Sequence, residues 1–272
     1  MPTERIDPPR GLLNLELVEE RVRLGRYFPS DADVGFFVEH YWIVEWDLRG
    51  LPAFTSETLP YPSVHVVLER GNSRVVGPPI GKFSRQLRDR GIVFGIKFKP
   101  GGFHPFVEAG VSRFTNRSIP LEGVLEYGGL LEDSVLPLED DRLMVDAAEA
   151  LLRQQLPHQD PHVPFLVEIV ERVAADRSIV RVDQIVSQVG MGARALQRLF
   201  REYVGVTPKW VIQRYRLFEA AEQLASGHAT GARVAHELGY FDQAHFIRDF
   251  TALIGRSPKE FARSAAGPPS AG

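Results

Sequence analysis

The feature that most constrains this chain is an internal duplication near its C-terminal end. The segment LQRLFREYVGVTPKW, starting at Leu196, aligns with FIRDFTALIGRSPKE, starting at Phe246, at a constant offset of 50 residues. Arg198 falls on Arg248, Phe200 on Phe250, Gly205 on Gly255, Pro208 on Pro258 and Lys209 on Lys259, with three further pairs matched in kind. Upstream the match continues with a slip of one residue, so that Ile185, Val186, Val189 and Gly190 correspond to Val234, Ala235, Leu238 and Gly239. A repeated unit of this length is one supersecondary element used twice. Each copy reads helix, glycine, turn, helix, glycine, then Ser or Thr followed by Pro. Gly190 and Gly239 stand where a short helix must turn through the left-handed region that only a residue without Cβ enters freely. The second helix of the first copy has Leu196, Leu199, Phe200 and Tyr203 on one side and Arg194, Gln197, Arg198 and Arg201 largely on the other. In the second copy Phe246, Ile247 and Phe250 are apolar, and Gln243, His245 and Arg248 are polar.

Two short helices at a steep angle, the second turning Arg and Gln outward, form a helix-turn-helix. Arg can reach guanine O6 and N7 with two hydrogen bonds and Gln can do the same for adenine, each pair discriminating by roughly 1 to 3 kcal/mol. Two such helices joined by an intervening helix over Pro208 to Ala225 could read successive major grooves about 34 Å apart. In that joining helix Val211, Tyr215, Phe218, Ala221 and Leu224 share the expected inward side. The charge distribution agrees: residues 176–265 hold 13 Lys+Arg against 9 Asp+Glu, and the rest of the chain 19 against 26. A basic end on an acidic chain suits an anionic partner for that end alone.

These motifs resemble the AraC family of bacterial transcription regulators over about residues 163 to 264. The resemblance runs through LQRLFREYVGVTPKW, RYRLFEAAEQLASG, VAHELGYFDQAHFIRDF and IGRSPKEFAR. It implies two helix-turn-helix motifs whose base-facing positions are Arg194, Gln197 and Arg198 in the first and Gln243, Ala244, His245 and Arg248 in the second. Gly192 replaces the Ser that often caps the first recognition helix in that family. Gly231 stands where an apolar residue is usual, and Ala244 replaces a common Ser and offers only a methyl group. The segments RYFPSDADVGFFVEHYWIVEWDL, SETLPYPSVHVVLE and VFGIKFKPGGFHPF resemble an uncharacterised N-terminal domain found on some actinobacterial-type members. By analogy such a domain senses an effector, dimerises, or both.

Before residue 120 the runs HYWIVEW, SVHVVLE, RVVG and IVFGIKF read as short strands between turn residues, which implies a small barrel or sandwich. From Leu138 a helix is expected, ending near Leu156, with Leu143, Ala147, Ala150 and Leu151 on one face. The break PHQDP at 157–161 divides the chain. The expected fold is thus α+β in two domains: a β-rich regulatory or dimerisation domain over 1–157, an all-α DNA-binding domain over 162–265, and a flexible tail over 266–272. Absent cysteine excludes disulfides, thiolate metal sites and thiol nucleophiles. With no secretory leader pattern and no apolar run near the ~20 residues that span a bilayer, a cytoplasmic location is expected.

His65 and His104 lie 39 residues apart without a second ligand at helical or strand spacing. The loop GPPIGKF at 77–83 lacks the first glycine and the hydroxyl of a phosphate loop. Asp140 and Asp141 suit the N-terminal charge bias of a helix. Trp42, Trp46, Phe94 and Phe98 could line an effector pocket, although filling a core is the plainer use. No catalytic, metal or cofactor constellation is expected. The expected partners are double-stranded DNA, a second copy of the chain, a small-molecule effector, and RNA polymerase if the protein activates. Two rival readings make the first domain an enzyme addressed to DNA, or a pure oligomerisation scaffold with the helix Leu138 to Leu156 as its seam.

Overall fold

The structure is a computed structural model, described here for residues 21–59, 61–107, 109–226, 231–240 and 242–265. The tail expected over 266–272 lies outside the described residues. The chain packs as two compact units, one of residues up to 168 together with 197–207, the other of residues 169–196 and from 208 onward.

The first unit is built on strands that alternate between two buried faces. Its elements are β1 (Val22–Tyr27), α1 (Ala32–Phe37), β2 (Val38–Asp47), β3 (Phe54–Thr58), β4 (His65–Leu68), β5 (Arg74–Val76), β6 (Phe83–Leu87), β7 (Arg90–Phe98), β8 (Ser118–Pro120), α2 (Gly128–Val135) and α3 (Asp141–Gln154). Six strands form an antiparallel sheet in the order β1-β2-β7-β4-β5-β8, while β3 and β6 pair as a separate two-stranded ribbon. The sheet is open, with β1 and β8 at its edges, so the sandwich alternative holds and the closed barrel does not.

Side-chain alternation sends Tyr41 and Ile43 of β2, Val66 and Leu68 of β4, and Phe94, Ile96 and Phe98 of β7 into one large core. Helices α2 and α3 cover that face through Leu131, Val135, Met144, Val145, Ala148 and Leu152. The inward stripe of α3 therefore differs from the expected one: Leu143 is 55% exposed, and the buried row starts at Met144. Asp140 caps α3 by accepting from the amides of Arg142 and Leu143, which sets the first turn and with it the rotation of the helix. The buried carboxylate of Glu149 on α3 accepts from the amides of Ser30 and Asp31 and from the Ser30 hydroxyl, pinning the start of α1.

The opposite face of the sheet is covered by the β3–β6 ribbon, with Phe54 and Leu87 packed near Val22, Trp46 and Val93. The register lays out cross-strand rows on this face. His40, Lys97 and His65 form one row, then Arg26, Trp42, Gly95 and Val67, then Leu24, Val44 and Val93, then Val22, Trp46 and Gly91. A Cβ on Gly95 would meet the Trp42 indole at 1.9 Å and one on Gly91 would meet the Trp46 indole at 2.3 Å. The two indoles thus lie against bare backbone of β7, an arrangement that only glycine allows.

Helix α4 (His162–Ala175) buries Val163, Leu166, Ile169, Val170 and Val173. The second unit contains α5 (Val182–Val189), α7 (Pro208–Ala225), α8 (Gly231–Glu237), α9 (Gln243–Ile254) and α10 (Pro258–Ala265). Helix α7 packs on α5, α8 and α10, and α9 on α8 and α10. Phe246, Phe250 and Phe261 form a chain of ring contacts inside this group. Among the described residues no helix is long and apolar enough to cross a membrane.

Candidate nucleic-acid interface

The helices of the duplicated segment fall at the spacing the sequence requires. Helix α6 (Ala193–Tyr203) and helix α9 start 50 residues apart. All four turn glycines hold left-handed backbone, with φ of 65° at Gly190, 85° at Gly205, 73° at Gly239 and 82° at Gly255. An alanine at these positions would be strained, so the glycines fix where each helix stops. Helix α9 has a side-chain cap that the sequence reading passed over: Asp242 accepts from the His245 amide at 2.7 Å. The signal was an Asp immediately before the first polar-periodic residue. Ser257 and Glu260 form a reciprocal cap on α10.

The expected base-facing side chains are outside the cores. In α6, Leu196 and Phe200 are fully buried whereas Arg194, Gln197, Arg198 and Arg201 are exposed. In α9, Phe246 and Phe250 are fully buried whereas Gln243, Ala244 and Arg248 are exposed. His245 is half-buried; its ring approaches Asp249 at 3.4 Å and packs edge-on to Tyr240. Arg194, Arg198, Arg201 and Arg248 make no ion pair among the described residues. Several arginines of the β-rich part are engaged: Arg23 with Glu45 and Asp141, Arg74 and Arg85 with Glu69, Arg153 with Asp31. A guanidinium left without a carboxylate keeps its full charge and its donor fork for an external acceptor.

The end of α6 is fixed within the first unit. The Tyr203 hydroxyl donates to Asp160 at 2.7 Å, its ring stacks on His104 at 3.9 Å between centroids, and Thr115 donates to the Gly205 carbonyl at 2.5 Å. These contacts hold the helix by the face away from Arg194, Gln197, Arg198 and Arg201.

The joining helix α7 departs from the expected one-sided pattern. Val211, Ala221 and Leu224 are buried as expected, but Tyr215 and Phe218 are half-buried, and Arg214, Arg216 and Glu219 are buried as well. Arg216 donates to the Val173 carbonyl and pairs with Glu219 at 3.2 Å, and Arg214 stacks on Trp210 at 4.4 Å. Burial lowers the Arg214 guanidinium to about 10.

The order of short helix, left-handed glycine and arginine-bearing second helix occurs twice, which is the layout of a helix-turn-helix. Residues 185–264 match the family described as Helix-turn-helix domain, and residues 26–120 match a Domain of unknown function (DUF6597). The transcriptional activator RhaS of Escherichia coli O139:H28 is 25% identical over 126 residues, covering 46% of this chain and 45% of RhaS. RhaS of Pectobacterium atrosepticum is 28% identical over 81 residues, covering 30% and 29%. The chain thus spans less than half the length of these curated relatives. The crystal structure of an AraC-type transcriptional regulator from Chromobacterium violaceum is similar at 26% identity and a TM-score of 0.35, covering 39% of this chain and 95% of that one. Residues 185–264 thus carry a helix-turn-helix domain at the C-terminal end of the chain, similar to that of AraC-type regulators.

Proposed function

We propose that this protein is a sequence-specific, DNA-binding transcription regulator whose two recognition helices enter successive major grooves. Arg194, Gln197, Arg198 and Arg201 of α6 and Gln243, Ala244, His245 and Arg248 of α9 face base edges and adjoining phosphates. Lys and Arg around them supply the salt-dependent, sequence-independent share of binding. The domain boundary at 157–161 and the DNA-binding region 162–265 belong to this reading. So does control by the β-rich domain, which in this proposal binds a small-molecule effector and pairs with a second copy of the chain. Duplex DNA as the target places its action in the cytoplasm. The RhaS relatives are named as transcriptional activators; an activating role here would add RNA polymerase as a partner.

The observation that carries the reading is that Arg198 and Arg248, fifty residues apart at equivalent stations of the repeat, are both exposed and make no ion pair among the described residues. A merely solvated helix face has no reason to repeat a guanidinium in this way. Selection of bound oligonucleotides from a random duplex pool tests the proposal. The expected product is an enriched sequence with two separated conserved blocks. A pool that stays random after successive rounds refutes sequence-specific binding.

A further inference from the structure

Beneath the β3–β6 ribbon the first unit holds a partly open cavity of about 570 Å³. Close-packed interiors rarely leave voids larger than a water molecule, whereas small-molecule sites occupy about 300 to 1,000 Å³. The walls are graded along the strands. At one end stands the row of His40, Lys97 and His65, beside Arg26; farther along, the wall is made of Val44, Val93 and the Trp46 indole.

The charge of the cavity runs against that of the chain around it. Its charged side chains are Arg26, Arg74, Arg85 and Lys97 against the single carboxylate Glu69, which Arg74 and Arg85 share at 2.7 and 2.5 Å. Behind the wall, Glu39 accepts from Lys97 at 2.8 Å and approaches His40 at 3.3 Å. Counting Glu39, the lining keeps an excess of positive charge in the part of the chain that is otherwise acidic. Arg26, half-buried, makes no ion pair or side-chain hydrogen bond among the described residues. Burial keeps His65 well below its ordinary range, at about 3, and so uncharged. Its Nδ1 accepts from the Trp42 indole at 3.2 Å, which fixes the tautomer with the proton on Nε2. The polar end thus offers a guanidinium fork, an ammonium and a neutral N–H donor, and the only acidic group there among the described residues, Glu39, is committed to Lys97 and His40.

Building on the regulatory role proposed above, we infer that this cavity is the effector site and that its ligand is an aromatic monocarboxylate. The carboxylate sits between Arg26, Lys97 and the His65 Nε2–H, and the ring lies along Trp42, Val44 and Trp46. One negative charge offsets the excess at that end, the guanidinium matches a carboxylate with two parallel bonds, and the flat indole walls favour offset stacking of a planar body.

The test uses the full chain, isothermal titration calorimetry and 4-phenylbutanoate as the probe, with 4-phenylbutanamide as its neutral counterpart. Expected results are one saturable site per chain for the acid, at least tenfold weaker binding of the amide, and at least a tenfold loss for the acid in Arg26→Gln. Because Lys97→Met would leave Glu39 without its ammonium, it is tested as Lys97→Met/Glu39→Gln, checked for an unchanged melting curve, with the same tenfold loss expected. No binding of the acid at millimolar concentration, or equal binding of acid and amide, overturns the inference. Affinity for selected DNA is measured in parallel with and without the acid. Acid bound at the site with DNA affinity unchanged leaves the ligand assignment standing and refutes control by the first domain. Specific DNA binding without any bound acid overturns the ligand assignment and leaves the DNA-binding reading standing.

Discussion

Alanine in place of Arg198 and Arg248 separates base reading from simple charge attraction. Both guanidiniums are exposed and neither is tied to a carboxylate among the described residues, so truncation should leave folding stability within about 0.5 kcal/mol. If each arginine makes a bidentate bond to a guanine, its loss costs roughly 1 to 3 kcal/mol on the cognate duplex. At about 1.4 kcal/mol per factor of ten, that is about 5- to 150-fold in Kd for each single variant. The residues lie on different helices and share no partner, so the double variant should approach the sum, about 2 to 6 kcal/mol. On random duplex either change removes no more than one phosphate-type attraction, lowering the slope of log K against log salt by about one unit. Fluorescence anisotropy on a selected operator and on random duplex of equal length, at one fixed salt concentration, reads both quantities. Equal fold-losses on the two duplexes refute base readout by these residues.

Three further outcomes follow from the packing. Arg216→Met should destabilise the chain by about 3 to 5 kcal/mol, because buried Glu219 loses the guanidinium paired with it at 3.2 Å and keeps Arg177 at 3.7 Å, whereas Arg216→Met/Glu219→Leu should recover most of the loss in urea melts; a single variant as stable as the parent contradicts the buried pair. Gly95→Ala should cost about 1 to 3 kcal/mol and shrink the cavity, since its methyl would sit 1.9 Å from the Trp42 indole; a structure of the variant with the indole unmoved disproves the contact. His65 has a folded pKa of about 3 against an ordinary 6.5, so over that interval the unfolded chain binds the extra proton, and stability should fall as the pH is lowered from 6.5 toward 5. His65→Gln should flatten that slope in thermal melts at constant ionic strength, and an unaltered slope in the variant rules out His65 as its source.

The C-terminal helices were legible because short-range rules determine them. Glycines with positive φ end four of them, and Leu196, Phe200, Phe246 and Phe250 recur at helical spacing on faces that are buried. The four strands read from β-branched and aromatic runs are β2, β4, β5 and β7, which lie in the interior of the sheet. The ribbon strands FTSET and FSRQL were not read, since their polar residues and largely incomplete burial give no apolar alternation to detect. Helix α2 escaped for a related reason: GGLLEDSV opens with two glycines and is held by contacts distant in sequence. The charged residues of α7 mislead periodicity in the opposite sense. Arg216 and Glu219 look like solvent-facing positions until each is seen to supply the other's counter-charge. At the candidate interface the residue types were legible from the repeat. In the cavity Trp42 and Trp46 stood out, but Arg26, Lys97 and His65 did not, because only the register of three strands brings them together.

Gly91 and Gly95 make β7 into a ruler. Four residues apart on an extended strand, they set their two indoles about 13 Å from each other along the sheet, a length written in backbone steps rather than in flexible side chains. Moving one glycine–tryptophan pair by two positions would keep both rings on the same face and change that length by about 7 Å. At the effector site proposed here, relocating a single pair would therefore reset the length of the indole-lined wall, with the surrounding core left as it is.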